Sequence, residues 1–422
     1  MIRLMLKMLW TRKKRYGWLA CELLFVSIIL WIILDPLAVL FSIESMPNGF
    51  DEKRLYRIEL AEYSSKSPRY DPAANDFNAK NENKWRMLQL VRRHPDVAKA
   101  TFYGPTGPYS MNTMSWSFQL DTLCTQVWGM QLVPGSDYFQ TLRFTETDGM
   151  TNARLDELLQ GQAGESPQKV IISAGTLPGK PLIGQNDTVN HLHVIGTTAM
   201  VRMRGGSVPM PVMSMLTHAS ATQDLVVRLR EGVNESDFLP AFNEWAKKQL
   251  HAGNYYVRSV QSFSEYMQAD RQEVTQQLRV RTILAGFFLL FLFLGVTGTF
   301  WMQTRSRCEE IGIMKSFGAT SSQIMRAFLT EGFVLVTVTV GAACLLYLHY
   351  ALDEGLYTPW SQNGNNLTNL LQGRYWFESF GIHFAVVSLL TWTILVVVVS
   401  LGIYIPTRQL SHMQPTEALR EE

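Results

Sequence analysis

Hydrophobic residues along the chain are concentrated in four long runs that are separated by polar sequence. The runs cover residues 17–34, 283–302, 328–350 and 382–405. A helix needs about 20 mostly apolar residues to cross a bilayer, and each run reaches about that length with few charges inside it. The pattern predicts an integral membrane protein with four transmembrane helices. We expect Asp35 and Pro36 to close the first span, and the fourth span to end at Pro406.

The long polar region between the first two runs, residues 41–279, has a different periodicity. Strands are predicted at residues 55–60, 97–103, 224–229 and 255–260. Helices are predicted at residues 77–93 and 236–250. Two strand–helix–strand units therefore flank a middle insert, which is typical of an α+β domain of the split βαβ type. A polar helix at residues 262–279 is expected to continue straight into the second membrane span.

The insert gives weaker signals than the two units around it. Residues 131–145 and 169–173 indicate further short strands and turns. Residues 203–215 are rich in Gly, Pro and Met, which predicts either a mobile, adaptable contact loop or an ordinary loop, and we favour the ordinary loop. Cys124 is the only cysteine between residues 41 and 279, so this region cannot form an internal disulfide.

The predicted fold class is an α-helical membrane protein with four transmembrane helices plus a large extracytoplasmic α+β domain, split βαβ and porter-like, inserted between helices 1 and 2. The expected segments are a cytoplasmic amphipathic helix (1–15), transmembrane helix 1 (16–40), the outer domain with its stalk (41–279), transmembrane helix 2 (280–303), a cytoplasmic elbow (304–327), transmembrane helix 3 (328–350), an outer loop (351–381), transmembrane helix 4 (382–405) and a cytoplasmic tail (406–422).

Charge sets the orientation of these segments and excludes one class of function. The 38 basic and 36 acidic residues give a net charge of +2 without a dominant basic face, so nucleic-acid binding is not expected. Basic residues cluster at residues 12–15 and recur in the elbow and the tail, which places both termini in the cytoplasm. The first run also resembles a signal peptide. We favour a retained helix because the run is long and no clear cleavage site follows it.

The elbow predicts two short helices that meet at a glycine turn. Ile311, Met314 and Phe317 are spaced three residues apart, so they are expected on one helical face. Gly318 suits the left-handed residue that ends a helix, and Thr320 with Gln323 has the spacing of a capping box. Such an elbow could receive a movement from a cytoplasmic partner. The alternative is an ordinary basic loop between two spans.

Two carboxylates lie inside the predicted spans, and other chemistry is sparse. Glu22 and Glu331 enter their spans from the same side, where each either reaches back to the interface or makes a polar contact with a neighbouring helix. His191 and His193 would share a face of a strand, but two ligands without a third do not indicate a metal site. The sequence contains no phosphate-binding loop, dinucleotide fingerprint or zinc-protease motif. We therefore expect no catalytic residues, metal or cofactor.

The elbow string EIGIMKSFGATSSQIMRAFLTEG resembles the signature of MacB/FtsX-type ABC transporter permeases. Three further segments agree with that family, and they are RRHPDVAKATFYG, PGSDYFQTLRF and the tail PTRQLSHMQPTEALR. Departures are mild, with Met314 and Ser316-Phe317 in place of the usual basic and Ala-Leu residues, and Leu410 where Ala is common. The resemblance covers nearly the whole chain.

The resemblance implies a stand-alone permease subunit in the bacterial inner membrane. Its partners would be a separate ABC ATPase subunit, a second permease copy in a homo- or heterodimer, membrane lipid and, as a further candidate, a periplasmic adaptor. It implies coupling of ATP hydrolysis to work of the periplasmic domain on an envelope substrate. The expected ATPase-coupling residues are Glu310, Ile311, Gly312, Lys315, Gly318 and Ala319. The alternative is a membrane-anchored sensor or scaffold that binds a periplasmic ligand or regulates cell-wall hydrolases.

Overall fold

Among the residues that the computed structural model describes, four helices are long and apolar enough to cross a membrane. They are α1 (Lys13–Glu44), α6 (Phe263–Arg305), α8 (Ser321–Asp353) and α9 (Phe380–Ser411). The structure describes residues 13–110, 112, 114–161, 167–177, 179–305, 308–358 and 374–411. Residues 1–12 of the predicted amphipathic helix, residues 359–373 of the outer loop and residues 412–422 of the tail lie outside this part. The prediction of four apolar membrane helices is confirmed.

The prolines at two predicted span ends lie inside longer helices. Pro36 lies inside α1, which continues to Glu44, and Pro406 lies inside α9. A proline removes one helical hydrogen bond, but the apolar residues after Pro36 gain burial by staying helical, and Leu37, Val39 and Leu40 are buried. Proline is also tolerated in membrane helices because neighbouring groups can hydrogen-bond to the carbonyl that the missing N–H leaves free.

The four long helices share one apolar core, which includes Leu30, Leu292, Val336 and Leu395. Small residues allow close approach: a Cβ atom placed on Gly402 of α9 would lie 3.0 Å from Cγ1 of Val296 in α6. Polar contacts add to this core. The hydroxyls of Ser27 and Tyr347 are hydrogen-bonded, and the Trp31 indole donates to the Ser388 hydroxyl at 3.2 Å.

The large domain, residues Ile43–Val274, is a separate compact unit of the chain. Its first sheet contains β1 (Leu55–Glu62), β2 (Val97–Tyr103), β8 (Asp224–Leu229), β9 (His251–Ala252) and β10 (Tyr255–Ser262). The strand order is β2-β8-β1-β10-β9, and the neighbours are antiparallel. Because β8 lies between β1 and β2, each strand–helix–strand unit is split by a strand of the other, and the split βαβ prediction is confirmed.

Two helices cover one face of this sheet. They are α2 (Phe77–Arg92) and α5 (Glu235–Gln249), each with an Asx N-cap, from Asp76 and from Asn234. Their apolar residues and those of the strands form one core, which includes Leu88, Val91, Phe238 and Phe242. The hydrophobic spacing in the sequence is the cause of this arrangement, since each helix buries one stripe.

The insert forms a second lobe with its own five-stranded sheet. The strands are β3 (Ser115–Leu120), β4 (Leu123–Leu132), β5 (Gln168–Ser173), β6 (Leu192–Thr198) and β7 (Val212–Leu216), in the order β3-β4-β7-β5-β6. The insert also contains the short helix α3 (Tyr138–Leu142), which packs against β2 and β8 of the first sheet, and the short helix α4 (Asn152–Leu158). Residues 131–145 are thus the end of a strand, a turn and a helix rather than strands and turns alone.

The methionine-rich segment of this lobe is not an exposed contact loop. Met203, Met210 and Met213 are almost fully buried, and Met213 belongs to β7. Methionine fills irregular apolar space as well as adaptable surfaces, so composition alone does not separate the two uses. Both the mobile-loop and the ordinary-loop interpretations missed a strand here.

Candidate functional site

The candidate site is the coupling elbow, defined here as α7 (Cys308–Ser316), residues 317–320 and the first turns of α8. A Schellman motif ends α7. Gly318 has φ +89°, its N–H donates to the Lys315 carbonyl at 2.9 Å, and the Ala319 N–H donates to the Met314 carbonyl at 2.9 Å. Left-handed backbone here requires glycine, because a Cβ atom would add strain. The predicted glycine turn is confirmed.

A capping box starts the second helix of the elbow. The Gln323 N–H donates to Oγ1 of Thr320 at 3.3 Å, and Oε1 of Gln323 accepts the Thr320 N–H at 2.9 Å. These two bonds satisfy amide groups that a helix start leaves without intrahelical partners. The predicted capping box is confirmed, and the turn between α7 and α8 therefore has hydrogen-bonded structure at both ends.

Apolar residues on one side of the elbow anchor it to the membrane helices. Ile311 of α7 and Ile324 and Phe328 of α8 are at most 5% exposed and belong to the core of the four long helices. Ala319 packs against the same core. Because buried residues occur both before and after the turn, α7 and the first turns of α8 both pack against the membrane helices.

The opposite side of the elbow carries exposed apolar residues. Ile313, Met314 and Phe317 are 52%, 48% and 87% exposed. The predicted common face of Ile311, Met314 and Phe317 is wrong. Helix α7 ends at Ser316, so Phe317 lies in the turn, and Ile311 alone of the three faces the core.

The six expected coupling residues all lie within this elbow. Ile311 and Gly312 are buried, Lys315 and Ala319 are half-buried, and Gly318 is exposed. Glu310 belongs to α7, and its side chain lies outside the described part of the structure. The fold places these residues together because they are consecutive in sequence. Their role in coupling stays a prediction.

The two intramembrane carboxylates occupy different surroundings. Glu22 of α1 is half-buried, and a Cβ atom placed on Gly295 of α6 would lie 3.1 Å from the Glu22 carboxyl carbon. The carboxylate therefore lies against Gly295 of a neighbouring helix, as the polar-contact interpretation requires. Glu331 of α8 is half-buried and adjoins Gly332, whose Cα faces the Ile403 side chain of α9.

A buried ionisable pair that the sequence interpretation missed lies at the other end of α1. Oδ1 of Asp35 is 2.6 Å from Nε2 of His383 in α9, and Oδ2 of Asp35 accepts the Tyr357 N–H at 2.9 Å. Nδ1 of His383 lies 3.1 Å from the Phe377 carbonyl. A carboxylate at the edge of an apolar run was the available signal, because buried charges need partners. Asp35 was interpreted only as a helix terminator.

Two buried groups of the large domain have displaced pKa values. Burial raises the pKa of Asp156 to about 6, although the carboxylate accepts the N–H groups of Phe139 and Gln140 at the start of α3. Burial lowers the pKa of Lys84 to about 8, and its ammonium donates to the Ser220 and Thr222 carbonyls. Both groups bond to backbone, which indicates structural roles.

The histidines considered for metal binding do not share a strand face. β6 begins at Leu192, and His191 precedes it with φ +53°. Nδ1 of His193 lies 2.7 Å from Oδ1 of Asn186. Within the described residues, no three His, Cys, Asp or Glu side chains are grouped closely enough to hold a metal ion.

Comparison with known proteins gives a consistent set of relatives. Residues 282–415 match the family model of the FtsX-like permease C-terminal region. The macrolide export ATP-binding/permease protein MacB 2 of Yersinia pestis bv. Antiqua (strain Antiqua) is 24% identical over 308 residues, which cover 69% of this chain and 40% of that protein. The pyoverdine export ATP-binding/permease protein PvdT of Pseudomonas fluorescens (strain Pf0-1) is 25% identical over 244 residues, which cover 54% of this chain and 34% of that protein.

Two solved domains are also similar. The periplasmic region of MacB from Actinobacillus actinomycetemcomitans covers 54% of this chain at 10% identity, with 97% of that domain matched and a TM-score of 0.29. The extracellular domain of the ABC-type transporter YknZ from Gram-positive bacteria covers 48% at 14% identity, with 100% matched and a TM-score of 0.30.

The permease match includes the whole elbow and the apolar part of α6, α8 and α9. The chain spans about 40% of the length of the MacB relatives that it matches. Its own architecture agrees with the match, since a large domain lies between the first two of four apolar helices. Residues 282–415 therefore form an FtsX-like permease C-terminal region, and the findings together support a MacB/FtsX-type ABC transporter permease.

Proposed function

We propose that this chain couples ATP hydrolysis by a separate ABC ATPase subunit to conformational work of its periplasmic domain, which exports or extracts an envelope substrate. The exposed apolar surface of the coupling elbow is the observation that carries the proposal. Phe317 is 87% exposed at a turn whose two ends are capped. An exposed aromatic side chain on a rigid support is a typical anchor for a protein partner.

The elbow can transmit a push because its two sides have different surroundings. Ile313, Met314 and Phe317 are open to a soluble partner, while Ile311, Ile324 and Phe328 belong to the core of the membrane helices. A displacement of the exposed side therefore acts on packed side chains rather than on a free loop. Close-packed interiors transmit strain because they hold few voids.

Helix α6 supplies the continuation toward the periplasmic domain. It contains 43 residues without a break, which corresponds to about 65 Å at 1.5 Å per residue. It begins at Phe263, directly after β10, and ends at Arg305, close in sequence to the elbow. A continuous helix gives a mechanical connection between the segment that receives the movement and the domain that uses it.

The proposed setting is the bacterial inner membrane, with both termini in the cytoplasm. ATP binding is assigned to a separate ABC ATPase subunit, because MacB/FtsX family members work with ABC ATPase partners. A second permease copy and membrane lipid are further proposed partners, and a periplasmic adaptor is a candidate. We assign no catalytic residue, cofactor or nucleic-acid contact to this chain.

Co-purification tests the proposal. The full chain is isolated in mild detergent, and the complex is assayed for an ATPase subunit and for ATP hydrolysis. Gly318→Pro removes the N–H that donates to the Lys315 carbonyl at 2.9 Å, and proline cannot adopt the φ of +89° found here. We expect loss of ATPase binding or of ATP hydrolysis by the complex.

Gly355→Pro is the matched control. Gly355 also follows a helix end, with φ +83° and an N–H that donates to the Ala351 carbonyl at 3.1 Å. The local damage is the same, but it lies beyond the other end of α8, so the ATPase complex is expected to survive. If no ATPase co-purifies and the cellular phenotype survives Gly318→Pro, the chain functions as a membrane-anchored sensor or scaffold instead.

A further inference from the structure

A fully buried arginine holds the end of the first membrane helix. Arg202 is 0% exposed, and its guanidinium donates to the Ile43 and Met46 carbonyls. Its backbone N–H donates to the Asn48 carbonyl at 2.9 Å. Ile43 lies in the last turn of α1, where carbonyls lack helical partners and a cation is favoured. Arg202 belongs to the second lobe, so this contact ties that lobe to the exit of α1.

A second arginine approaches the same segment from α6. Arg271 donates to Oδ1 of Asn48 at 2.9 Å and to the Tyr109 hydroxyl at 2.8 Å. The carboxylate of Glu44 lies between the two arginines, with 3.7 Å from Oε2 to Nη1 of Arg271 and 3.9 Å from Oε1 to Nη1 of Arg202. Glu44 thus faces one arginine of α6 and one of the second lobe.

The loop after Arg202 also contacts α6 directly. The Gly205 N–H donates to Oδ2 of Asp270 at 2.6 Å. A Cβ atom placed on Gly205 would lie 2.9 Å from Cα of Arg271, so the loop and the helix touch where only glycine fits. The next residue, Gly206, has φ +72° and faces Val274 of α6. Backbone and charge contacts therefore meet on one stretch of α6.

We propose that Glu44, Arg202 and Arg271 are positioning residues that link α6 to the second lobe, so that a movement of α6 displaces that lobe together with the first sheet. The inference rests on the proposed coupling function. A buried guanidinium that loses its carboxylate is strongly unfavourable, so Arg202 resists separation from Glu44. The second lobe would then move together with the periplasmic end of α6.

Hydrogen exchange of the full chain in lipid nanodiscs tests the link without any partner. Arg271→Met is expected to speed amide exchange in residues 202–207 about ten-fold, and Glu44→Met to do the same. Since both variants break one link, their effects are not expected to multiply in the double variant. Arg271→Lys keeps the positive charge, so amide exchange of residues 202–207 is expected at a rate between those of wild type and Arg271→Met. Such a partial rescue would show that the effect of Arg271→Met comes from the lost charge and not from misfolding.

Arg258→Met is the matched control. Arg258 of β10 pairs with Glu59 at 3.0 Å, so the variant removes the same type of ion pair in the same domain. Less than a two-fold change in residues 202–207 is expected. Unchanged exchange in Arg271→Met, or effects of Arg271→Met and Glu44→Met that multiply, would overturn the link.

A second measurement separates positioning from stability. In the complex with its ATPase, the nucleotide-dependent change in exchange of residues 202–207 is expected to disappear in Arg271→Met, while ATP hydrolysis continues. The same nucleotide-dependent change in wild type and variant would refute the inference. Failure to isolate any ATPase complex would count against the proposed function alone, because the exchange of the isolated chain already decides the link.

Discussion

Replacing Phe317 by alanine is expected to weaken binding of the ATPase subunit. The residue is 87% exposed in the free permease, and its truncation leaves the core of the membrane helices intact. An aromatic side chain buries about 150–250 Å² when it is covered. Coverage by a partner therefore removes about 150 Å² from water, which is about 4 kcal/mol at about 25 cal/mol per Å².

Part of this free energy is offset by ordering of the interface. Truncation of an interface anchor generally costs about 2 kcal/mol or more. We therefore expect Phe317→Ala to raise the dissociation constant by about 2–4 kcal/mol, or about 30- to 700-fold. The affinity is measured by titrating the purified ATPase subunit onto the full permease in nanodiscs, with the unfolding midpoint recorded for each variant.

Phe77→Ala is the matched control for this measurement. Phe77 is 55% exposed and lies at the start of α2 in the periplasmic domain, so the same truncation is made away from the elbow. Its affinity for the ATPase is expected to equal that of wild type. An affinity of Phe317→Ala within two-fold of wild type, with an unchanged unfolding midpoint, would refute the docking role of the exposed ring.

Three further predictions concern the stability of the chain in nanodiscs. Arg228→Met orphans the carbonyls of Thr141 and Leu142 and the carboxylate of Asp51, so thermal unfolding should show a loss of about 3 kcal/mol. Burial raises the pKa of Asp156 to about 6 from 3.8, so the folded chain retains a proton that the unfolded chain loses. The free energy of unfolding should therefore fall by about 2 kcal/mol between pH 4 and pH 6 relative to Asp156→Asn, measured by denaturant titration. Thr320→Ala removes the capping box and should cost about 1 kcal/mol, seen as about five-fold faster amide exchange in the first turn of α8.

Periodicity predicted the first sheet and its helices closely, and the physical reason is local. Strand β2 and strand β8 begin and end where the alternation predicts, at Val97–Tyr103 and Asp224–Leu229. Helix α2 ends one residue earlier than predicted, and helix α5 begins and ends one residue earlier. Each of these elements buries one side, so apolar and polar residues alternate along it with the period of a strand or a helix. The Gly318 turn and the capping box were predictable for the same reason.

The failures involve competition or long-range contacts. Asp35 and Pro36 predicted an end to the first span, but α1 continues past them, and Leu37 and Leu40 are buried. Much of the second lobe gave weak signals, because its sheet mixes parallel and antiparallel neighbours from distant segments. The contacts of Glu44 with Arg202 and Arg271 join residues that are more than 150 positions apart. No local pattern specifies which arginine meets which carboxylate.

The central claim is that ATP binding in the cytoplasm rearranges the periplasmic domain. Cys124 of β4 is an exposed free cysteine in the second lobe, and three other cysteines occur in the chain. With those three replaced by alanine, a nitroxide on Cys124 reports the distance between two permease copies by pulsed electron paramagnetic resonance. The account predicts different distance distributions in the ATP-bound and ADP-bound complex. A complex that hydrolyses ATP while this distribution stays the same in every nucleotide state would contradict it.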